Sequence, residues 1–174
     1  ELAMAIDFEA HYLRFSEARS LVDDLLGADR DKQRKLVGLI KKELEIRKNE
    51  LLPVLKNYSE IKKMAGFSLV AIDISKVTAR SEYPSAGKAL GMLHDEITRE
   101  GPTLSFGIGP DFIIMRCSDG VNFNLHELIA ALRKKLPFAA VAGGGHEHAG
   151  TISFIEAAKD DVLAGMAEFI DAIK

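Results

Sequence analysis

The sequence contains a single cysteine, Cys117, among its 174 residues. One thiol cannot form an internal disulfide or a cysteine-rich zinc site, and such scarcity favours a reducing compartment, so a cytoplasmic location is expected. No apolar run approaches the roughly 20 residues of a membrane-spanning helix. The first residues lack the basic and apolar segments of a signal peptide, and because the chain begins without methionine we expect a fragment of a longer polypeptide.

An excess of positive charge is also missing. The chain has 23 Lys and Arg residues against 26 Asp and Glu residues, which gives a formal net charge of −3. This balance argues against a strongly basic domain that coats duplex DNA, although it leaves room for a local basic pocket. Hydrophobic residues make up 47% and charged residues 28% of the chain, as in globular proteins. We therefore expect one compact domain, or one domain with a helical attachment.

Helix-breaking residues are scarce in residues 1–64, which contain two of the 14 glycines and one of the five prolines. Helical periodicity predicts a first helix that ends at Gly27 and a second helix over 29–49. The apolar face of the first helix consists of Phe8, Tyr12, Phe15, Val22, Leu25 and Leu26. Leu36, Leu39, Ile40 and Leu44 are expected on one side of the second. Its dense charges indicate a solvated face, and a basic arm that touches nucleic acid is the alternative.

Strand-like and helix-like segments alternate after Gly66. Apolar runs predict strands over 67–74, 104–108, 112–117, 138–142 and 151–155. Helices are predicted over 85–99, 125–135 and 160–173, with Asn124 as an N-cap and Glu127 as its capping-box partner. The sequence therefore predicts an α/β fold, with a mixed sheet of about five strands flanked by helices and preceded by an N-terminal helical connector. The predicted division is 1–64 for the connector and 65–174 for the α/β domain.

The most distinctive segment lies between the last two predicted strands and reads Gly143-Gly144-Gly145-His146-Glu147-His148. Consecutive glycines adopt backbone conformations closed to other residues, and their N–H groups can converge on an anion. A histidine at the rim can donate a hydrogen bond to phosphate. A flexible hairpin or a tight strand crossing without a ligand is the alternative. The Walker and dinucleotide-binding motifs are excluded, because their defining residues are missing.

Arg116 ends an apolar predicted strand, where a charged side chain must find a partner or reach the surface. Its planar guanidinium suits bidentate binding of phosphate. A structural salt bridge with Glu147 or Asp119 is the alternative. Arg116 is therefore a second candidate ligand for an anion.

Other polar residues carry weaker signals. His146 and His148 would share one face of a strand, but two histidines and Cys117 are too few for a closed zinc site, so no metal site is predicted. Cys117 is expected to be a small buried side chain rather than a thiol activated by its neighbour Arg116. His126 is expected to be a surface or packing residue of its helix. We predict no catalytic residue in this chain.

Taken together, Arg116, the helix from Leu125, the segment 143–146 and Ala149-Gly150 resemble the DHH-associated domain. That domain is the C-terminal half of DHH-family phosphoesterases, which include RecJ single-strand-specific exonucleases, oligoribonucleases and cyclic dinucleotide phosphodiesterases. A related domain occurs in alanyl-tRNA synthetase. The run Gly-Gly-Gly-His-Glu-His-Ala-Gly is most similar to the archaeal RecJ-like branch. The resemblance covers about residues 66–174.

The resemblance implies a substrate-binding role without hydrolysis by this chain alone. A substrate phosphate would be held by Gly143, Gly144, Gly145 and His146, with Arg116 assisting, and we add His148 from the same segment. The family's manganese or magnesium would be held by a catalytic domain, because its Asp-His-His triplet appears nowhere in these 174 residues. Residues 1–64 would be the end of that domain and the connector to this one.

The predicted function is therefore binding of single-stranded DNA, RNA or a short oligonucleotide, as part of a metal-dependent RecJ-like exonuclease. The missing DHH domain is an expected partner, replication proteins are further candidates, and no membrane partner is expected. One alternative is a non-catalytic interaction module of a replication assembly, which apolar residues on both faces of helix 29–49 would favour. Another is an RNA-binding domain like that of alanyl-tRNA synthetase, which would show a steep salt dependence of binding.

Overall fold

The fold was analysed in a computed structural model that describes residues 1–12, 21–78 and 84–173, without the side chains of residues 9–12. Its helices are α1 (Leu2–Tyr12), α2 (Val22–Leu26), α3 (Arg30–Tyr58), α4 (Ala86–Thr98), α5 (Leu125–Lys135) and α6 (Lys159–Asp171). Its strands are β1 (Ser59–Lys63), β2 (Ser68–Asp73), β3 (Thr103–Ile108), β4 (Phe112–Cys117), β5 (Ala142–His146) and β6 (Ala149–Ser153). Phe15, assigned to the first predicted helix, lies outside the described residues.

The strands form one mixed sheet in the order β1-β2-β3-β4-β6-β5. Strands β2 and β3 are parallel and are joined through α4, whereas the other neighbouring pairs are antiparallel. A tight turn joins β3 to β4, where the Gly109 N–H donates to the Phe112 carbonyl at 2.8 Å. The predicted α/β class is confirmed, with six strands in place of about five.

Helices cover the two faces of the sheet unequally. On one face, α4 packs against β3 and β4, and α3 adds Leu55 to a core that includes Val70, Ile72, Leu90 and Leu93. On the other face, α5 and α6 bury a larger core that includes Phe106, Ile113, Met115, Leu128 and Ile152. The α4 face is open over the far end of the sheet, because Ala142, Gly144, His146, Thr151 and Ser153 are exposed there. This open face is where the candidate site lies.

The N-terminal helices form a smaller core of their own, which consists of Ala5, Phe8, Leu25, Ile40 and Leu44. Asp29 caps the start of helix α3, because its side chain accepts hydrogen bonds from two backbone N–H groups, and the helix continues through Pro53. The predicted inward position of Leu39 is wrong, since 55% of this residue is exposed. Its place in the helix lies beside the buried stripe and not within it.

The structure also corrects two predicted strands. The strand predicted over 138–142 is wrong, because Pro137–Ala139 is a 3-10 turn and Ala140 adopts a left-handed backbone with φ of 48°. The chain then enters β5 only at Ala142. Strand β1 was not predicted, and it pairs with β2 from within the segment 1–64. The division into 1–64 and 65–174 otherwise stays a prediction.

Candidate phosphate-binding site

Strand pairing brings Arg116 and His146 to one face of the sheet. Arg116 on β4 lies opposite Ala149 on β6, and Ala149 lies opposite His146 on β5. Directly paired residues point their side chains to the same face, so these three form one row across three strands. Two interstrand spacings, about 10 Å, separate the two ends of the row. Residues 30 positions apart in sequence thus face the same patch of solvent.

An open cavity of about 270 Å³ lies over this row. Helix α4 contributes Gly87 to its wall, and β4 contributes Ile114 and Arg116. The hairpin of β5 and β6 contributes His146 and Thr151. The cavity therefore combines a guanidinium, an imidazole and a hydroxyl group, all of which can donate hydrogen bonds to an anion.

The guanidinium of Arg116 is exposed and has no ion-pair partner in residues 1–12, 21–78 and 84–173. The alternative of a salt bridge with Glu147 or Asp119 is not formed. Asp119 instead lies 3.6 Å from Nδ1 of His148, measured at its Oδ1 atom. Arg116 is therefore available to bind an anion in the cavity.

The glycines of this hairpin fall into two groups. A Cβ atom at Gly143 would lie 2.5 Å from the carbonyl oxygen of Thr151. A Cβ atom at Gly150 would lie 2.3 Å from the carbonyl oxygen of Gly144. Gly145 has a φ of +136°, which side chains disfavour. Packing and backbone geometry thus require these three glycines. A Cβ at Gly144 would meet no atom within 4 Å, and Gly144 shares the open face with His146.

The convergent glycine loop expected from the sequence is not formed. Ala142–His146 is an extended edge strand, so successive N–H groups point alternately toward β6 and away from it. The hydrogen-bond donors that meet at the cavity come from side chains on neighbouring strands. Gly144 contributes bare backbone to the open face, opposite Thr151 of the cavity.

His148 faces a different part of the molecule. It lies in the turn between β5 and β6 and lines a cavity of about 600 Å³ beside the start of α5. The turn is fixed at both of its carbonyls, because Leu125 N–H donates to Glu147 O at 2.9 Å and Cys117 N–H donates to His148 O at 2.8 Å. The structure therefore joins His146 with Arg116 and places His148 outside their cavity.

Sequence reasoning missed a buried polar pair next to Arg116. His94 on α4 has Nδ1 2.9 Å from Oγ of Ser105, and Ser105 lies opposite Arg116 in the β3–β4 pairing. Burial lowers the pKa of His94; the charge of Asp95 opposes this shift and that of Arg116 adds to it. The spacing of His94 from Leu90 and Ile97 on α4 was the available signal, since it places His94 on the buried face.

The remaining candidates show no chemistry at this site. The described ranges contain no group of three or more His, Cys, Asp and Glu side chains that could hold a metal ion, so the manganese or magnesium implied by the resemblance does not fit this part of the chain. Cys117 is buried as predicted, and burial raises the pKa of its thiol to about 11. His126 lies exposed on α5. Among the described helices, none is both long and apolar enough to cross a membrane.

Comparisons with known proteins give two relatives of similar identity. No protein-family profile matches the sequence. The chain is 32% identical over 189 residues to "Uncharacterized protein MJ1198" of Methanocaldococcus jannaschii. This alignment covers 100% of the present chain and 24% of that protein. A solved structure described as a DHH domain, from a member of the s1p family of ribosomal proteins, superimposes with a TM-score of 0.88 and 32% identity. The superposition includes 99% of the present chain and 42% of the chain in the solved structure.

Two RecJ structures share the fold at lower identity. RecJ from Thermus thermophilus in complex with Mg²⁺ has a TM-score of 0.51 and 17% identity, over 86% of this chain and 22% of its own. An exonuclease RecJ bound to manganese has a TM-score of 0.51 and 15% identity, over 88% of this chain and 36% of its own. The match to the DHH-domain protein agrees with the resemblance stated from the sequence, and the relative from Methanocaldococcus jannaschii is archaeal. The chain is therefore similar to a DHH-domain protein over nearly its whole length and has the fold that it shares with RecJ structures.

Proposed function

We propose that this chain binds a phosphate group of single-stranded DNA, RNA or a short oligonucleotide in the cavity over β4, β6 and β5. The observation that carries this proposal is the exposed guanidinium of Arg116, which has no ion-pair partner among the described residues and lies in one row with His146. A guanidinium binds a phosphate through two parallel N–H donors, and an imidazole can add a third. Gly144 leaves room for the sugar–phosphate backbone to approach the strand.

In a longer protein, this domain would position a substrate for metal-dependent hydrolysis of a phosphodiester. The metal ions would be held by a catalytic DHH domain, since the described residues of this chain offer no suitable cluster. Arg116 and His146 would orient the phosphate and offset its negative charge. The buried thiol of Cys117 suits a cytoplasmic location, which is part of this proposal.

The test is a fluorescence-anisotropy titration of the chain with short 5′-phosphorylated single-stranded DNA and RNA at two salt concentrations. Arg116→Ala and His146→Ala should each weaken binding by about 1 to 3 kcal/mol, the range for a hydrogen bond to a charged group. The matched control is His126→Ala, because His126 is an exposed histidine on α5 outside the cavity. Wild-type affinity in both site variants would contradict the proposal.

A second function, as a protein-interaction module, is favoured by the surface of α3. Leu39 and Ile46 are 55% and 53% exposed and lie two turns apart, while Ile40 and Leu44 of the same helix are buried. Apolar residues on both sides of α3 are typical of a helix with a further partner. The catalytic DHH domain of the same protein is the first candidate, and a replication protein is the second.

The two functions respond to different substitutions. The double variant Leu39→Lys, Ile46→Lys should abolish association with a separately expressed DHH domain and leave oligonucleotide affinity unchanged. If the double variant instead keeps its association with the DHH domain and loses oligonucleotide affinity, α3 would be a nucleic-acid-binding surface. An extended RNA-binding surface would instead show a steep loss of affinity with salt, which the net charge of −3 argues against.

A further inference from the structure

Phe138 is the most exposed large hydrophobic residue after Leu26 in the described ranges, with 61% of its surface accessible. It lies in the 3-10 turn Pro137–Ala139 that leads from α5 to β5. Its neighbours Leu136, Ala139 and Val141 are buried and anchor this turn. The fold therefore buries the small and aliphatic residues of the turn and leaves the aromatic ring in solvent, although burial of such a ring is generally favourable.

Three cationic side chains, Arg133, Lys134 and Lys135, precede Phe138 on the last turn of α5. Lys134 is exposed and forms no salt bridge within the described ranges. The Nε of Arg133 donates to the Val141 carbonyl oxygen at 2.8 Å, which holds the guanidinium beside the start of β5 and leaves its Nη atoms for other partners. Lys135, by contrast, is paired with Glu168. A cationic end of a helix thus adjoins an exposed aromatic ring.

Strand β5 leads from this cluster to the phosphate site. Its five residues run from Ala142 to His146 and span roughly 13 Å. All five are exposed, and none is Asp, Glu, Lys or Arg. The opposite edge strand, β1, carries Glu60, Lys62 and Lys63, as protected edges commonly do. The outer edge of β5 therefore offers an unobstructed backbone between Phe138 and His146.

We propose that Phe138, Arg133 and Lys134 form a second subsite, a stacking platform for a base of single-stranded nucleic acid. The bound strand would continue along β5 to the cavity of Arg116 and His146. Exposed aromatic rings stack on any base, and adjacent cations offset the phosphate charge. Glu156 is exposed on the segment after β6, and its carboxylate would repel phosphate groups. The phosphates are therefore expected on the side of Arg133 and Lys134. This inference rests on the proposed phosphate site.

The experiment compares 5′-phosphorylated thymidine oligonucleotides of two and eight nucleotides in anisotropy competition with the chain. We expect the shorter ligand to occupy the phosphate site alone and the longer ligand to reach both subsites, with about tenfold tighter binding for one stacked base. Phe138→Ala should remove this gain and leave the affinity for the dinucleotide unchanged. Phe138→Trp should retain the gain, and Lys134→Gln should reduce its salt dependence.

The matched control is Tyr58→Ala, because Tyr58 is another exposed aromatic residue, 53% accessible, but lies beside the opposite edge strand. Two results would contradict the stacking platform without contradicting the phosphate site. One is equal affinity of the wild-type protein for both oligonucleotide lengths; the other is an undiminished preference for the longer oligonucleotide in Phe138→Ala. The first of these results would assign the Phe138 surface to a protein partner. If the wild-type chain binds neither length, both proposals are wrong. Weaker binding of both lengths by His146→Ala supports the phosphate site independently.

Discussion

Nδ1 of His94 on α4 lies 2.9 Å from Oγ of Ser105 on β3; both residues are buried, and Ser105 lies opposite Arg116 in the strand pairing. Burial lowers the pKa of His94 in the folded protein below its ordinary value of 6.5. Below about pH 6.5 the unfolded chain therefore takes up the proton first, and the folded state loses stability as the pH falls.

The lowered pKa of His94 predicts that the free energy of unfolding in urea is lower at pH 5.5 than at pH 7.5. His94→Gln, which can keep a hydrogen bond to Ser105 but does not titrate, should reduce the pH dependence. His126→Gln is the matched control, because it makes the same substitution at an exposed histidine on α5. An unaltered slope in His94→Gln would assign the acid sensitivity to other groups.

Gly87→Ala is expected to separate stability from binding. Gly87 lines the cavity from α4, and a Cβ there would meet no atom within 4 Å. Alanine should stabilise the helix by up to about 1 kcal/mol, yet the added methyl group would occupy space next to the ligand. We therefore expect a higher melting temperature together with weaker oligonucleotide binding.

The matched control for this substitution is Gly38→Ala. Gly38 lies in α3, a Cβ there would also meet no atom within 4 Å, and it does not line the cavity. It should raise the melting temperature by a similar amount and leave binding unchanged. Identical binding by the two variants would show that the ligand does not approach α4.

Two glycines of the hairpin should respond in opposite ways to alanine. At Gly150 the new Cβ would lie 2.5 Å from Cδ2 of Leu125 as well as against the Gly144 carbonyl, so we expect about 1 to 3 kcal/mol of destabilisation. At Gly144 the space is open, so stability should change by less than about 0.5 kcal/mol while oligonucleotide affinity falls. Thermal unfolding and anisotropy measure the two effects. A stable Gly150→Ala variant would contradict the packing described at this hairpin.

Cys117 should resist thiol reagents in the folded protein. Burial, with a smaller effect of Asp119, raises the pKa of its thiol from 9.0 to about 11, so little thiolate forms at pH 8. Reaction with a chromogenic disulfide should be slow until denaturant is added. Because the unfolded chain loses this proton first, stability should also fall between about pH 9 and 11, and Cys117→Ala should reduce that fall. Rapid reaction under native conditions would contradict this account.

The sequence predicted the helices over the α/β part well because their apolar spacing matches their burial. Ala89, Leu90, Leu93 and Ile97 of α4 recur at helical spacing and are all buried. Asn124 caps α5 through its side chain, which accepts from His126 N at 2.9 Å. These features depend on interactions within one helix and its apolar face, so local pattern was sufficient.

Features that depend on strand pairing were not predictable from local pattern. Strand β1 reads Ser-Glu-Ile-Lys-Lys, whose charges suit an exposed edge but give no apolar signal. Strand β5 contains three glycines, which disfavour a strand in isolation, and it forms because β6 pairs along its whole length. The row of Arg116 and His146 follows from the order β4-β6-β5, in which β6 comes last in the chain but lies between the other two.

The turn between β5 and β6 also bears on where the protein can be lengthened. Exposed hairpin tips commonly accept inserted segments. Here Glu147 and His148 hold the first residue of α5 and the last residue of β4, so an insertion between them would release both. A label or fused domain is better placed at Ala65-Gly66, the exposed turn between β1 and β2 at the other side of the sheet. There it would leave the cavity of Arg116 and His146 unobstructed.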